Sequence, residues 1–137
     1  MIELTIPGEV IAKARPRFSN QGGYTRTYTP KKTRDYEALV KYYALQLKQE
    51  PLTEAIEVEI SVHREPPKSW SKKKRREALE GTILPVTKPD ADNYAKSVLD
   101  ALNGVLFKDD NQIVDLNIKK RYSEEAKAVV KIREVKE

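Results

Sequence analysis

The stretch from Lys88 to Asp115, KPDADNYAKSVLDALNGVLFKDDNQIVD, gathers acid in a chain whose net charge is +5. Asp90 and Asp92 stand at alternate positions of a lead-in that Pro89 biases toward extended backbone, so their carboxylates can converge on one side. Lys96 follows Asp92 by four residues, which puts both on one helix face about a turn apart. Asp100 continues the row, and Asp109 and Asp110 come just after the helix that Gly104 ends. Each acid has an ordinary reading by itself. Asp92 can cap the helix, Asp92 and Lys96 can form a surface pair, and Asp109-Asp110 can be turn residues before a strand. Taken together they suggest more. A helix reversed by a short loop brings the next strand back beside it, which can return Asp109 or Asp110 toward the Asp90/Asp92 end. Carboxylates closing on one point repel one another and lose solvation, and a divalent cation relieves both costs. With no cysteine and His63 as the one histidine, the ligands must be oxygen, which points to magnesium or manganese. Such an ion generates hydroxide from bound water and stabilises charge on phosphorus oxygens, and Lys96 would add a cation beside the same phosphate.

The elements that position these residues can be read from periodicity. IELTIPG alternates and stops at Pro-Gly, giving a strand over 2–6, and Ile56, Val58, Ile60 and Val62 give a second that stops at Pro66-Pro67. Between them, residues 31 to about 49 carry Tyr36, Leu39, Val40, Tyr43 and Leu47 at helical spacing. A serine before KKKRREALEG can cap a short helix that ends at Gly81, and the acidic helix should run from about Asp92 to Asn103. Residues 113–122 and 127–135 read as two more strands, joined by SEEA as an antiparallel hairpin. The segment before the long helix, with Gly22-Gly23, is a loop or irregular hairpin. The result is an α+β fold, one compact domain over 1–137 with a mixed sheet and helices packed on it.

Lys and Arg number 26 against 21 Asp and Glu, a balance that suits a polyanionic partner. Lys13, Arg15 and Arg17 alternate in KARPRF, with Phe18 and Tyr24 nearby, so an extended loop could aim all three cations one way. Lys72, Lys73, Lys74, Arg75 and Arg76 form a second cationic group at the front of a helix, where they oppose the macrodipole and a DNA backbone would relieve them. A solvated surface is the plain alternative for both groups. Trp70 is expected to pack the start of that helix, the tyrosines of 36–43 to lie in the core or a dimer interface, and His63 has no role. No apolar run is long enough for a membrane span and the N-terminus is unlike a signal peptide, so the expected location is the cytoplasm and no membrane partner is expected.

KPDADN with Lys96 after it, LDALNG and KDDNQIVD resemble, in this order and spacing, the RusA-type Holliday junction resolvases. KARPRF, YTPKKTRDYE and PPKSWSKKKR extend the resemblance, to the Gram-positive and phage branch, over nearly the whole chain. The resemblance implies a homodimer that binds four-way DNA junctions and makes paired, symmetric nicks with Mg2+ or Mn2+. It also implies metal-binding aspartates at Asp90, Asp92 and Asp110, with Asp109 ranked below Asp110, and a catalytic lysine at Lys96. The alternatives are a non-catalytic branched-DNA-binding protein of prophage origin, in which the acids are caps and turns, and a metal nuclease preferring flaps.

Overall fold

Strand alternation and helix stripes decide what is buried. In a computed structural model of the chain, residues 1–14, 17–19, 26–28 and 30–135 are described, with 17–19 and 26–28 given by backbone alone. The order is β1 (Ile2–Pro7), β2 (Arg17–Ser19), β3 (Arg26–Tyr28), α1 (Lys31–Gln46), β4 (Ile56–Arg64), α2 (Lys72–Glu80), α3 (Ala91–Leu102), β5 (Ile113–Tyr122) and β6 (Lys127–Glu134). Ile56, Val58, Ile60 and Val62 of β4 are fully buried, as are Ala128 and Val130 of β6. Strands this apolar on one face are stable only with a neighbour on each side and helices over that face.

The main sheet has the order β1-β6-β4-β5. β6 is antiparallel to both β1 and β4, whereas β5 runs parallel to β4 at the edge. The hairpin expected for 113–122 and 127–135 is therefore not formed: the chain steps across β4 between them. The more apolar β6 takes an interior place, while β5, with Lys119, Lys120 and Arg121, stays at the rim. The segment before α1 does form a small antiparallel hairpin, β2 with β3. α1 and α3 pack against each other and cover one face through Tyr36, Val40, Ala44, Val98 and Leu102. The opposite face carries Glu57, Glu59, Lys119 and Arg133 in ion pairs at the surface. Full burial of each aliphatic core side chain contributes about 1.5–3 kcal/mol before entropy is charged against it.

Two helix ends fall where capping chemistry places them. Ser71 caps α2 by accepting from Lys74 N–H, and Gly81, at φ 88°, closes it in the left-handed region that glycine tolerates. α3 begins one residue earlier than expected, so Asp90 rather than Asp92 occupies the N-cap. α1 stops at Gln46, short of the expected limit near 49.

Candidate active site

α3 is held at both ends, and each anchor bears on an acid. At its N-terminal end, Lys120 Nζ donates to the carbonyls of Thr87 and Pro89, both at 3.0 Å, which fastens the lead-in to the inner side of β5. Ser97 Oγ donates to Ile11 O at 2.7 Å and Lys13 N–H to Asn93 O at 2.9 Å, so the strand-to-loop segment after β1 runs along the helix. Asp90, exposed at the N-cap, makes no capping bond with its side chain, which leaves its carboxylate free. Asp92 is exposed in the first turn and Lys96 is exposed one turn on. Among the described residues neither takes part in an ion pair, so the surface pair between them is not made. The positive end of the helix dipole favours negative charge at this corner, which the two carboxylates supply.

The other acids lie at the far end of α3. Asp100 is ten residues after Asp90, about 15 Å along the axis at the usual helical rise. It faces Lys13, whose Nζ is 3.2 Å from Asp100 Oδ2 and 2.6 Å from Glu37 Oε1. Beyond Gly104, at φ 81°, the chain turns back, with Leu106 and Phe107 fully buried. A 3-10 turn over Asp110–Gln112 then leads into β5. Asp109 caps that turn: Asn111 N–H donates to its carboxylate at 3.2 Å, while Gln112 Oε1 accepts from Asp109 N–H at 2.8 Å. Gln112 Nε2 donates to the carbonyls of Leu52 and Glu54, both at 2.9 Å, tying the turn to the segment before β4.

These bonds set the protonation of the pair. The amide of Asn111, and then the hydrogen bond with Asp110, hold the Asp109 carboxyl below the ordinary aspartate range. Asp110 is pushed up, first by that hydrogen bond with Asp109, then by burial and by the charges of Asp109 and Asp100. Asp110 thus lies in the field of Asp100, at the end of α3 away from Asp90 and Asp92. The expectation that the return of the chain carries Asp110 to the Asp90/Asp92 end is not met within one chain. A short loop brings the strand's start back beside the helix's end, and Asp110 precedes the strand. Among the described residues, no three acidic or histidine side chains of a single chain converge as a metal site. One chain presents two half-sets of hard oxygen donors, Asp90/Asp92 and Asp109/Asp110. Their chemistry fits magnesium, which is characteristically held by one or two carboxylates together with substrate phosphate and water.

The basic groups divide as well. Lys13 is engaged between Glu37 and Asp100, so its charge is already balanced inside the fold. Arg15 lies outside the described residues, and Arg17 is described by backbone only, in β2. In α2, Lys74 sits 4.1 Å over the Trp70 ring and Arg75 donates to Pro67 O, leaving Lys72, Lys73 and Arg76 exposed and outside any ion pair among the described residues. Trp70 packs edge-on to Tyr122, as expected for a residue seating the start of α2.

Sequence reasoning missed Lys120, which orients the Asp90 lead-in. The signal was in the alternation: Lys120 falls on the same strand face as Leu116 and Ile118, a lysine where an apolar residue would continue the pattern. It also missed a cleft of about 440 Å³ beside Pro89, lined by Glu9, Lys32, His63, Arg64, Glu65 and Tyr94 among others. Burial raises the Tyr94 hydroxyl, which Arg64 opposes and Glu9 reinforces, and burial with nearby Lys127 lowers His63.

A family model described as endodeoxyribonuclease RusA matches residues 7–133 of the chain. The chain belongs to the RusA endodeoxyribonuclease family. A similar protein, "Uncharacterized protein YqaN" of Bacillus subtilis (strain 168), is 43% identical over 137 residues, covering 98% of this chain and 96% of that protein. The α+β architecture agrees with the fold that the family resemblance implies. Among the described residues no helix is long and apolar enough to cross a membrane.

Proposed function

We propose that this RusA-family protein is a structure-selective endonuclease that cuts four-way DNA junctions by metal-dependent phosphodiester hydrolysis, working as a homodimer. The observation that carries this reading is the corner at the start of α3, where two exposed carboxylates, one of them a capping residue that does not cap, stand a turn from an exposed lysine without an ion-pair partner among the described residues. Family membership supplies the reaction class. Asp90 and Asp92, with Asp110 as the further acid, would hold Mg2+, or Mn2+ in its place. When bound, such an ion lowers the pKa of its water and stabilises charge on the scissile phosphate.

The chain's own groups do the remaining work. Lys120 fixes the Thr87–Pro89 lead-in so that the Asp90 carboxylate is aimed before substrate arrives, which lowers the reorganisation needed in the transition state. Lys96 sits beside the phosphate as a fixed cation, where charge developing on the oxygens is stabilised more than in water. Lys72, Lys73 and Arg76 neutralise backbone phosphates away from the cut.

The experiment is Asp90→Asn, which keeps the shape and removes the charge. This variant should bind a synthetic four-way junction in calcium or EDTA as the wild type does, and lose cleavage in magnesium. Undiminished cutting would remove the mechanism. A second reading, a non-catalytic binder of branched DNA, is favoured by the separation of Asp110 from Asp90 and Asp92 within one chain. Wild-type protein that retains the junction in magnesium without scission would establish it. Comparing junction, flap and linear duplex as substrates tests the preference for flaps.

A further inference from the structure

The cleft of about 440 Å³ beside Pro89 opens where the segments after β1 and β4 meet the start of α3, and nothing in the reaction derived above uses it. Its size is that of an ordinary ligand pocket. Its place in the chain ties it to the corner of carboxylates. Pro89, part of its wall, is the residue before Asp90, and Tyr94, also in its lining, is one turn further along α3. The wall on this side is fixed: Lys120 Nζ donates to Pro89 O at 3.0 Å, and Arg64 Nη1 donates to Thr87 O at 3.4 Å. A group seated in the cleft therefore lies against the same lead-in that aims Asp90.

The lining says what kind of group that is. Val10 and Ile11 give apolar surface, while Glu9 and Glu65 offer acceptors and Arg64 and Lys32 offer donors. None of these four charged residues is in an ion pair among the described residues. Burial and nearby Lys127 hold His63 toward its neutral form, so the lining carries two charges of each sign. A phosphate in the cleft would meet two carboxylates. A nucleobase suits it better, being flat, uncharged and furnished with donors and acceptors along one edge: glutamate accepts from an amino group, and arginine donates to ring nitrogen and carbonyl. Tyr94 adds a further polar atom. It is 3% exposed, and the charges of Arg64 and Glu9 both bear on its hydroxyl, which turns that group to the cleft.

We propose that the cleft receives one unpaired nucleobase of the strand being cut, from a nucleotide beside the phosphate at Asp90 and Asp92, and that admitting this base separates a branch point from continuous duplex. A base within a duplex is stacked and paired, and withdrawing it costs least where the stack is already interrupted. A branch point interrupts it. The assignment deepens the nuclease reading and rests on it for the strand and the cut.

Base capture is read without cutting. Wild-type protein in calcium is mixed with an immobile four-way junction carrying 2-aminopurine at each position around the branch in turn. Its fluorescence, quenched in a stack, should rise on binding at one position, beside the cut mapped in magnesium, and stay flat in linear duplex of the same sequence. Ala126→Trp puts an indole on the cleft wall and touches no group assigned to metal or phosphate. It should keep the melting temperature and junction binding and lose the fluorescence rise. An abasic nucleotide at the responsive position should slow wild-type cutting by roughly 10-fold or more, the worth of one well-held base. It should cost Ala126→Trp nothing further, because both changes remove the same interaction. Should Ala126→Trp fail to fold, Tyr94→Phe decides: the ring stays in the core, and loss of one hydrogen bond should shrink the abasic penalty about 3- to 10-fold. A flat signal at every position, or an abasic penalty undiminished in the folded variant, overturns the proposal even when junctions are cut. A signal that Ala126→Trp abolishes, from a protein that cuts nothing in magnesium, leaves base capture standing and rejects the nuclease reading alone.

Discussion

Asp109 and Asp110 are adjacent and do different work. Asp109 accepts from Asn111 N–H and closes a reciprocal cap with Gln112, so its carboxylate is already occupied by the backbone. Asp110 has no such duty; its carboxyl is pushed up first by the hydrogen bond with Asp109, then by burial and by the charges of Asp109 and Asp100. Asp109→Ala should lower the melting temperature and weaken cleavage only as far as the turn loosens. Asp110→Asn should leave melting unchanged and abolish cleavage, so thermal scans run beside junction assays separate the two roles. Lys96, exposed and outside any ion pair among the described residues, is free of structural work in the same way. Lys96→Met should keep the melting temperature and the junction affinity and reduce the single-turnover cutting rate by roughly 100- to 1,000-fold, the usual effect of removing one group that stabilises developing charge. A loss of binding equal to the loss of rate would instead make Lys96 a phosphate anchor.

Elements are joined by side chains whose type alone did not announce the job. Lys13 reads from the sequence as one of three alternating loop cations, yet it bridges Glu37 of α1 and Asp100 of α3 with its side chain 20% exposed. Burial alone would lower its pKa, but the hydrogen bonds and charges of Glu37 and Asp100 outweigh that and raise it. A raised lysine stabilises the fold fully below its unfolded value, near 10.4, and the contribution is lost as pH climbs through the higher folded value. Lys13→Met should therefore cost about 1–2 kcal/mol in urea unfolding at pH 7–9, with the difference from wild type shrinking only above the ordinary lysine range. The strands and helices themselves were legible because alternation and helical stripes are local: Ile56 to Val62 and Tyr94 to Leu102 lie close to where their spacing puts them. Pairing was not legible, because the short SEEA connection favours a hairpin while the burial demands of β4 and β6 are settled by the whole sheet. For the same reason the corner of Asp90, Asp92 and Lys96 could be read along one helix, whereas the place of Asp110 depended on where a loop lets the chain return.

At the scale of the molecule, an excess of cations has to be divided between those that serve the fold and those that meet a polyanion. The formal charge of +5 does not make that division, and the side-chain partners do. In α2, Lys74 stacks on Trp70 and Arg75 bonds Pro67 O, so both hold the helix start in place, while Lys72, Lys73 and Arg76 face outward. Lys72 and Lys73, in the first turn of α2, oppose its dipole, and Arg76 follows one turn on; DNA phosphates beside them turn that small cost into affinity. Replacing Lys72, Lys73 and Arg76 together with Gln removes them without disturbing the Ser71 cap or buried Ala78, so the fold should persist. Junction binding, measured in calcium across a range of salt concentrations, should weaken, and the slope of log K against log salt should become shallower by about 2 to 3, near 0.9 for each phosphate no longer neutralised. Asp90→Asn, which touches the site and leaves the α2 cations in place, should change that slope little. A triple variant whose slope equals that of wild type would show that the α2 cations face solvent alone, and would move phosphate binding to another surface.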